Sequence, residues 1–165
     1  MNGKIAAGSI VVIAALVGGA VWYLQEYAYY APVTFIPGSE IALTPITSDA
    51  PEPIVVKDVQ GIDSASSPLR FRACFTTQMT LATLTEGYKT YDGATPLYAP
   101  SWFSCFDAEK IGAAIQSGQA VAFLGQKNVF PNKDDVEIDR VVAVFPDGRA
   151  YAWNQLAPGT DAQGQ

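Results

Sequence analysis

IDRVVAVFPDGRAYAWNQ, residues 138–155, is the stretch from which the fold can be read. Two runs, Ile138–Phe145 and Arg149–Gln155, flank Pro146-Asp147-Gly148, where proline and glycine supply the backbone angles that a reversal needs. Val141, Ala143 and Phe145 alternate with Arg140, Val142 and Val144, while Tyr151 and Trp153 share one face of the second run. A side-chain period of two on both sides of a turn predicts an antiparallel hairpin.

Working outward, QAVAFL at Gln119–Leu124 reads as another strand and DAEKIGAAIQSG at Asp107–Gly118 as a helix. Asp107 suits the N-cap, Glu109 places negative charge in the first turn, Gly118 is a stop, and Ile111, Ala114 and Ile115 mark a buried stripe. PLRFRACFT at Pro68–Thr76 alternates as a strand, with Leu69, Phe71, Ala73 and Phe75 opposite Arg70, Arg72, Cys74 and Thr76. A shorter strand is expected at Ile54–Val59. Met79–Tyr91 carries conflicting signals, Leu81 and Leu84 suiting a helix while its threonines and tyrosines favour a strand. The fold class expected is α+β: an N-terminal transmembrane helix, then a small, mostly antiparallel sheet of four or five strands with one main helix and a disulfide.

The transmembrane expectation rests on IAAGSIVVIAALVGGAVWYL, Ile5–Leu24, twenty residues without a charge. At about 1.5 Å per residue it spans roughly 30 Å, the hydrocarbon thickness of a bilayer. Lys4 precedes it, and the next basic residue after it is Lys57. The positive-inside rule therefore places the N-terminus in the cytoplasm and the rest outside it. Trp22, Tyr23, Tyr27, Tyr29 and Tyr30 follow as an aromatic belt. A cleaved signal peptide is the competing reading, because Gly18 and Ala20 are small, but a cut after Ala20 would leave an exposed VWYL at the new end. Ala14 with Gly18 and Ala15 with Gly19 set small residues at helical spacing, a face that a partner helix can approach closely.

The expected organisation is a cytoplasmic N-terminus (1–4), the anchor (5–24), a proline-rich juxtamembrane stalk with edge strands (25–53), a periplasmic domain (54–156) and a disordered tail (157–165). The segment 31–165 holds nine of the ten basic and fifteen of the sixteen acidic residues. That balance argues against nucleic acid as a partner. The chain has no histidine, which removes Ser-His-Asp and Cys-His catalysis and His-ligated metals, and no catalytic residue or cofactor is expected. Cys74 and Cys105 are the only cysteines. In an oxidising compartment they are expected to pair structurally, a wide spacing unlike the Cys-x-x-Cys of redox catalysts.

Three further features have two readings each. Arg70 and Arg72 form either an anion-recognising pair or an ordinary strand face partly covered by the disulfide-linked loop. Trp102 and Phe103, in SWFSCF, are either core or a partner contact. Asp134, Asp135, Glu137 and Asp139 resemble a hard-cation site in composition, but lack EF-hand spacing and equally suit a solvated strand face.

GIDSASSPLRFRACFTT, APSWFSCFDAEKIGAA and DRVVAVFPDGRAYAWNQ together resemble an uncharacterised family of short single-span proteins from alphaproteobacteria, a domain of unknown function. The resemblance implies a Gram-negative inner membrane and a periplasmic domain, and brings no activity. The function expected is a non-enzymatic, membrane-anchored accessory or scaffolding component of an inner-membrane protein complex. The alternatives are a small-anion sensor and a thiol–disulfide envelope protein.

Overall fold

The computed structural model describes residues 2–131 and 136–159. The apolar N-terminal stretch forms α1, Gly3–Tyr23, capped by the Asn2 side chain, and continues as one π-helical segment, Leu24–Ala28. No residue of α1 is buried, and the continuous helix to Ala28 is long and apolar enough to cross a membrane.

The strands are β1 (Ala31–Pro32), β2 (Ala42–Leu43), β3 (Glu52–Pro53), β4 (Val56–Asp63), β5 (Arg72–Thr77), β6 (Val121–Gln126), β7 (Ile138–Val144) and β8 (Arg149–Leu156). Six of them form one antiparallel sheet in the order β1-β4-β5-β8-β7-β6, and β2 pairs with β3 as a separate ribbon. The main sheet is thus wider than the four or five strands expected, because the proline-rich 25–53 segment adds the two-residue edge strand β1, too short to show periodicity. Two helices complete the domain, α2 (Leu81–Gly87) and α3 (Ala108–Gln116).

The hairpin forms as expected, with Val141 opposite Trp153 and Ala143 opposite Tyr151. At its turn Gly148 has φ +86°, and a Cβ there would fall 2.5 Å from the Thr77 carbonyl oxygen. Only glycine meets both constraints. Pro68–Thr76 departs from the expected strand at its start: Pro68–Arg70 is a 3-10 turn capped by Ser67, and the strand begins at Arg72. Met79–Tyr91 resolves in favour of a short helix, with Thr80 as N-cap and Leu84 fully buried.

Alternation carries the sheet into two cores. On one face Phe71, Ala73, Phe75, Val142, Val144, Ala150 and Ala152 pack against Leu84 of α2 and against Ile41, Leu43 and Ile54 from around the β2–β3 ribbon. On the other, Cys74, Val141, Ala143 and Trp153 pack against Ala108 and Ile111 of α3 and against Phe103 and Phe106. Ile41 and Leu43 therefore belong to the core, although they lie in the segment expected as stalk and edge strands. Ala157, expected to begin a disordered tail, is buried and donates its N–H to the Glu137 carbonyl.

Cys74 and Cys105 form a disulfide that ties β5 to the loop preceding α3. Residues 91–107 contain no helix or strand, so this loop has no ladder of its own to hold it. Closing a loop with a sequence separation of 31 constrains the unfolded chain by about 3–4 kcal/mol on the chain-entropy estimate. Guanidinium unfolding of the full chain in detergent is expected to show a stability loss of about 3 kcal/mol for Cys74→Ala/Cys105→Ala relative to the oxidised protein.

Candidate functional site at the junction of helix and domain

Where the long helix ends, the chain meets a loop 76 residues further along. The Glu26 carboxylate accepts hydrogen bonds from the Ser101 backbone N–H at 3.0 Å and its hydroxyl at 3.2 Å, while the Trp102 indole N–H donates to the Glu26 carbonyl. The last carbonyls of a helix lack intrahelical partners, and the indole satisfies one of them. Ring packing reinforces the join. Tyr27 stacks on Trp102 at 6.4 Å between centroids, Tyr30 meets Trp102 edge-on at 6.2 Å, and Tyr27 also contacts Trp22 and Tyr23.

Arg70 lies at the same junction. Its guanidinium carbon sits 4.9 Å from the Tyr29 ring centre and 5.4 Å from that of Tyr30, cation–π distances for both rings. Its Nη1 is buried and has no hydrogen-bond partner among the described residues. Arg72, two residues on, has a different environment. It is buried, and donates from Nε to the Leu97 carbonyl (2.8 Å), from Nη1 to those of Leu69 (2.7 Å) and Phe71 (2.6 Å), and from Nη2 to that of Tyr98 (3.0 Å). Burial pushes its pKa down to about 10, against the opposing effect of Tyr30 and Asp63. Arg72 thus holds backbone: it ties the irregular 91–107 loop to the start of β5. The two arginines share one face of the strand expected from sequence but reach separate partners.

Trp102 and Phe103 divide in the same way. Phe103 is buried in the core with Phe106, whereas Trp102 is 39% exposed at the junction. Both belong to a loop with closely spaced restraints, the disulfide at Cys105 and turns closed by Phe103 N–H to Pro100 and Phe106 N–H to Phe103. In α1, a Cβ on Gly18 or Gly19 would meet nothing within 4 Å, and Ala14 and Ala15 are likewise exposed, so this small-residue face is open.

Of the four carboxylates that resemble a hard-cation site in composition, the two described, Glu137 and Asp139, have separate partners. Asp134 and Asp135 fall outside the described residues. Asp139 is buried, accepting from the Tyr91 hydroxyl (3.0 Å) and the Asn128 N–H (3.0 Å), and Glu137 is 3.9 Å from Lys127. The solvated strand face that the sequence equally suits does not hold for Asp139, which Tyr91 and Asn128 cover.

Arg140 gave no functional signal in sequence, where it reads as one polar position in a hairpin. Its guanidinium lies 3.7 Å over the Phe71 ring centre, and Nε donates to the Asn154 side-chain oxygen, whose amide in turn donates to the Pro68 carbonyl. Burial lowers its pKa, with Asp63 partly opposing. It lines a pocket of about 420 Å³ together with Asp63, Ser64, Ser66, Phe130 and Asn154.

Tyr91 offers a titration readout for this arrangement. Burial, then the hydrogen bond to Asp139 and the carboxylate charge, raise its pKa above the ordinary 10.0. An acid whose folded pKa is raised contributes stability that is complete below pH 10 and is lost as pH rises toward the folded pKa, because the unfolded state releases its proton first. Denaturant titrations from pH 8 to 11.5 are expected to show a steep stability loss above pH 10 in the wild type and a shallower one in Tyr91→Phe.

A model of a family of unknown function, DUF6446, matches residues 41–163. No curated protein and no solved structure matches the chain.

Proposed function

Because the chain belongs to the DUF6446 family of unknown function, its role must be read from its own geometry, and we propose that it is a single-pass, membrane-anchored domain in the periplasm that acts by protein contacts. Its place would be that of an accessory or scaffolding component of an inner-membrane complex, without catalysis. The carrying observation is the join itself: Glu26, Tyr27 and Tyr30 grip Ser101 and Trp102. A flexible stalk would let the domain wander; this junction sets its orientation relative to the helix. Any protein that packs on Ala14, Ala15, Gly18 and Gly19 would then also fix where the domain points.

Photo-crosslinking from Gly18 in intact cells tests this. The expected result is a discrete adduct, identified by mass spectrometry, that co-purifies with the full chain in mild detergent and is lost when Ile5–Leu24 is replaced by a polyleucine span. A chain that elutes alone, or a polyleucine anchor that keeps the adduct, would overturn the reading. A reporter fused to Gln165 that is active only in the cytoplasm should stay silent.

A small-anion sensor is the second reading, and Arg140 favours it over Arg70 and Arg72. The described residues give its two terminal nitrogens no hydrogen bond or salt bridge, and the pocket that Arg140 lines also includes Ser64, Ser66 and Asp63. A guanidinium with spare planar donors suits a carboxylate. Thermal-shift screening with acetate, succinate and inorganic phosphate should then stabilise the wild type and not Arg140→Met. Equal shifts in both proteins would remove this reading.

A further inference from the structure

Trp102 is presented at the level where the long helix leaves its apolar stretch. Leu24 ends that stretch, and Tyr27 lies three residues beyond it, at most about 4–5 Å further, the α-helical rise of about 1.5 Å per residue being an upper bound for this π-helical turn. With a hydrocarbon core of about 30 Å inside a bilayer of about 40–45 Å, the interfacial layer on each side is about 5–7 Å deep. A helix that crosses the membrane therefore carries Tyr27 in that layer, and Trp102 stacks on Tyr27 with 6.4 Å between ring centres.

The chemistry of the turn matches the same layer. Trp102 remains 39% exposed although its indole N–H is already satisfied by the Glu26 carbonyl, so what it shows to its surroundings is ring surface. Tryptophan with its polar edge satisfied and its ring outward is the side chain enriched in interfacial belts. The two charges at the junction are masked. Glu26 is engaged by both donors of Ser101, and Arg70 lies against the faces of Tyr29 and Tyr30. The backbone behind the ring is rigid, since Phe103 and Phe106 are buried and Cys105 is bonded to Cys74.

We propose that the turn bearing Trp102 sits in the headgroup–acyl boundary of the bilayer, so that the folded domain touches lipid at a second point beside its own anchor. This rests on the reading of Ile5–Leu24 as a membrane span. The lipid occupant is favoured over a protein because the exposed ring is continuous with Trp22, Tyr23 and Tyr27 of the helix, which a bilayer would surround at that depth.

The three tryptophans separate the anchor from the turn. Trp153 is fully buried and serves as an internal reference, Trp22 reports the anchor, and Trp102 reports the turn. The full chain is reconstituted into phosphatidylcholine vesicles whose acyl chains carry bromine either close to the headgroup or close to the chain end, and tryptophan emission is recorded. Trp22→Phe leaves Trp102 and its contacts in place. Its emission should be quenched, more strongly by bromine near the headgroup, and the quenching should vanish in Trp22→Phe/Trp102→Phe. If wild type is quenched but Trp22→Phe is not, the anchor is inserted and the turn stands clear of lipid, which overturns the proposal and leaves the anchor reading intact. Stronger quenching of Trp22→Phe by chain-end bromine would put the turn in hydrocarbon and overturn the interfacial placement. If wild type is not quenched either, the anchor reading fails and takes the proposal with it.

Discussion

The bond between Cys74 and Cys105 is the constraint on which the junction depends. It fastens the centre of a sheet strand to a stretch, residues 91–107, that has neither helix nor strand to stabilise it. Such a segment must be held by side chains or covalent bonds, since its backbone makes no regular ladder. The bridge is joined by Arg72 at Leu97 and Tyr98, by Gln155 at Gly93 and Thr95, and by the burial of Phe103 and Phe106. Held at these points, the loop offers Ser101 and Trp102 to the helix end in one geometry.

The protein is acidic overall, yet several of its cations are employed inside. Arg72 serves carbonyls, Arg70 two tyrosine faces, and Arg140 a phenylalanine face and an asparagine. Guanidinium suits this use: it is planar, weakly hydrated for a cation, and carries five donors at fixed angles. Burial of Arg72 and Arg140 works against their charged forms, and the many hydrogen bonds or the aromatic contact offset part of that cost. The same arrangement makes it unnecessary to assign every arginine in a polar pattern to a ligand.

Elements governed by local rules are legible in the sequence. The 138–155 hairpin follows from a period of two around Pro-Asp-Gly, and α3 from Asp107, Glu109 and a stripe of apolar residues, with the Asp107 side chain accepting from the Lys110 N–H as an N-cap should. Met79–Tyr91 was ambiguous because threonine is a poor helix former, and burial of Leu84 decided the matter. The β1 edge and the β2–β3 ribbon were hard to see because strands of two residues display no period. Asp139 is buried, against the solvated-face reading, for a related reason: alternation says which residues share a face, and what covers it here is Tyr91, 48 positions away, with Asn128.

The sequence by itself determined a twenty-residue apolar stretch, an antiparallel α+β domain and a pair of cysteines, because helix length, side-chain period and turn chemistry are set by neighbours a few residues apart. Only the tertiary structure decided that Arg72 faces carbonyls and that Trp102 closes on Glu26 and Tyr27. The Trp102–Glu26 bond joins positions 76 apart, and the Arg72 bonds to Leu97 and Tyr98 join positions 25 and 26 apart; what brings such segments together is the sheet order and the placing of one disulfide, which no pattern among near neighbours encodes.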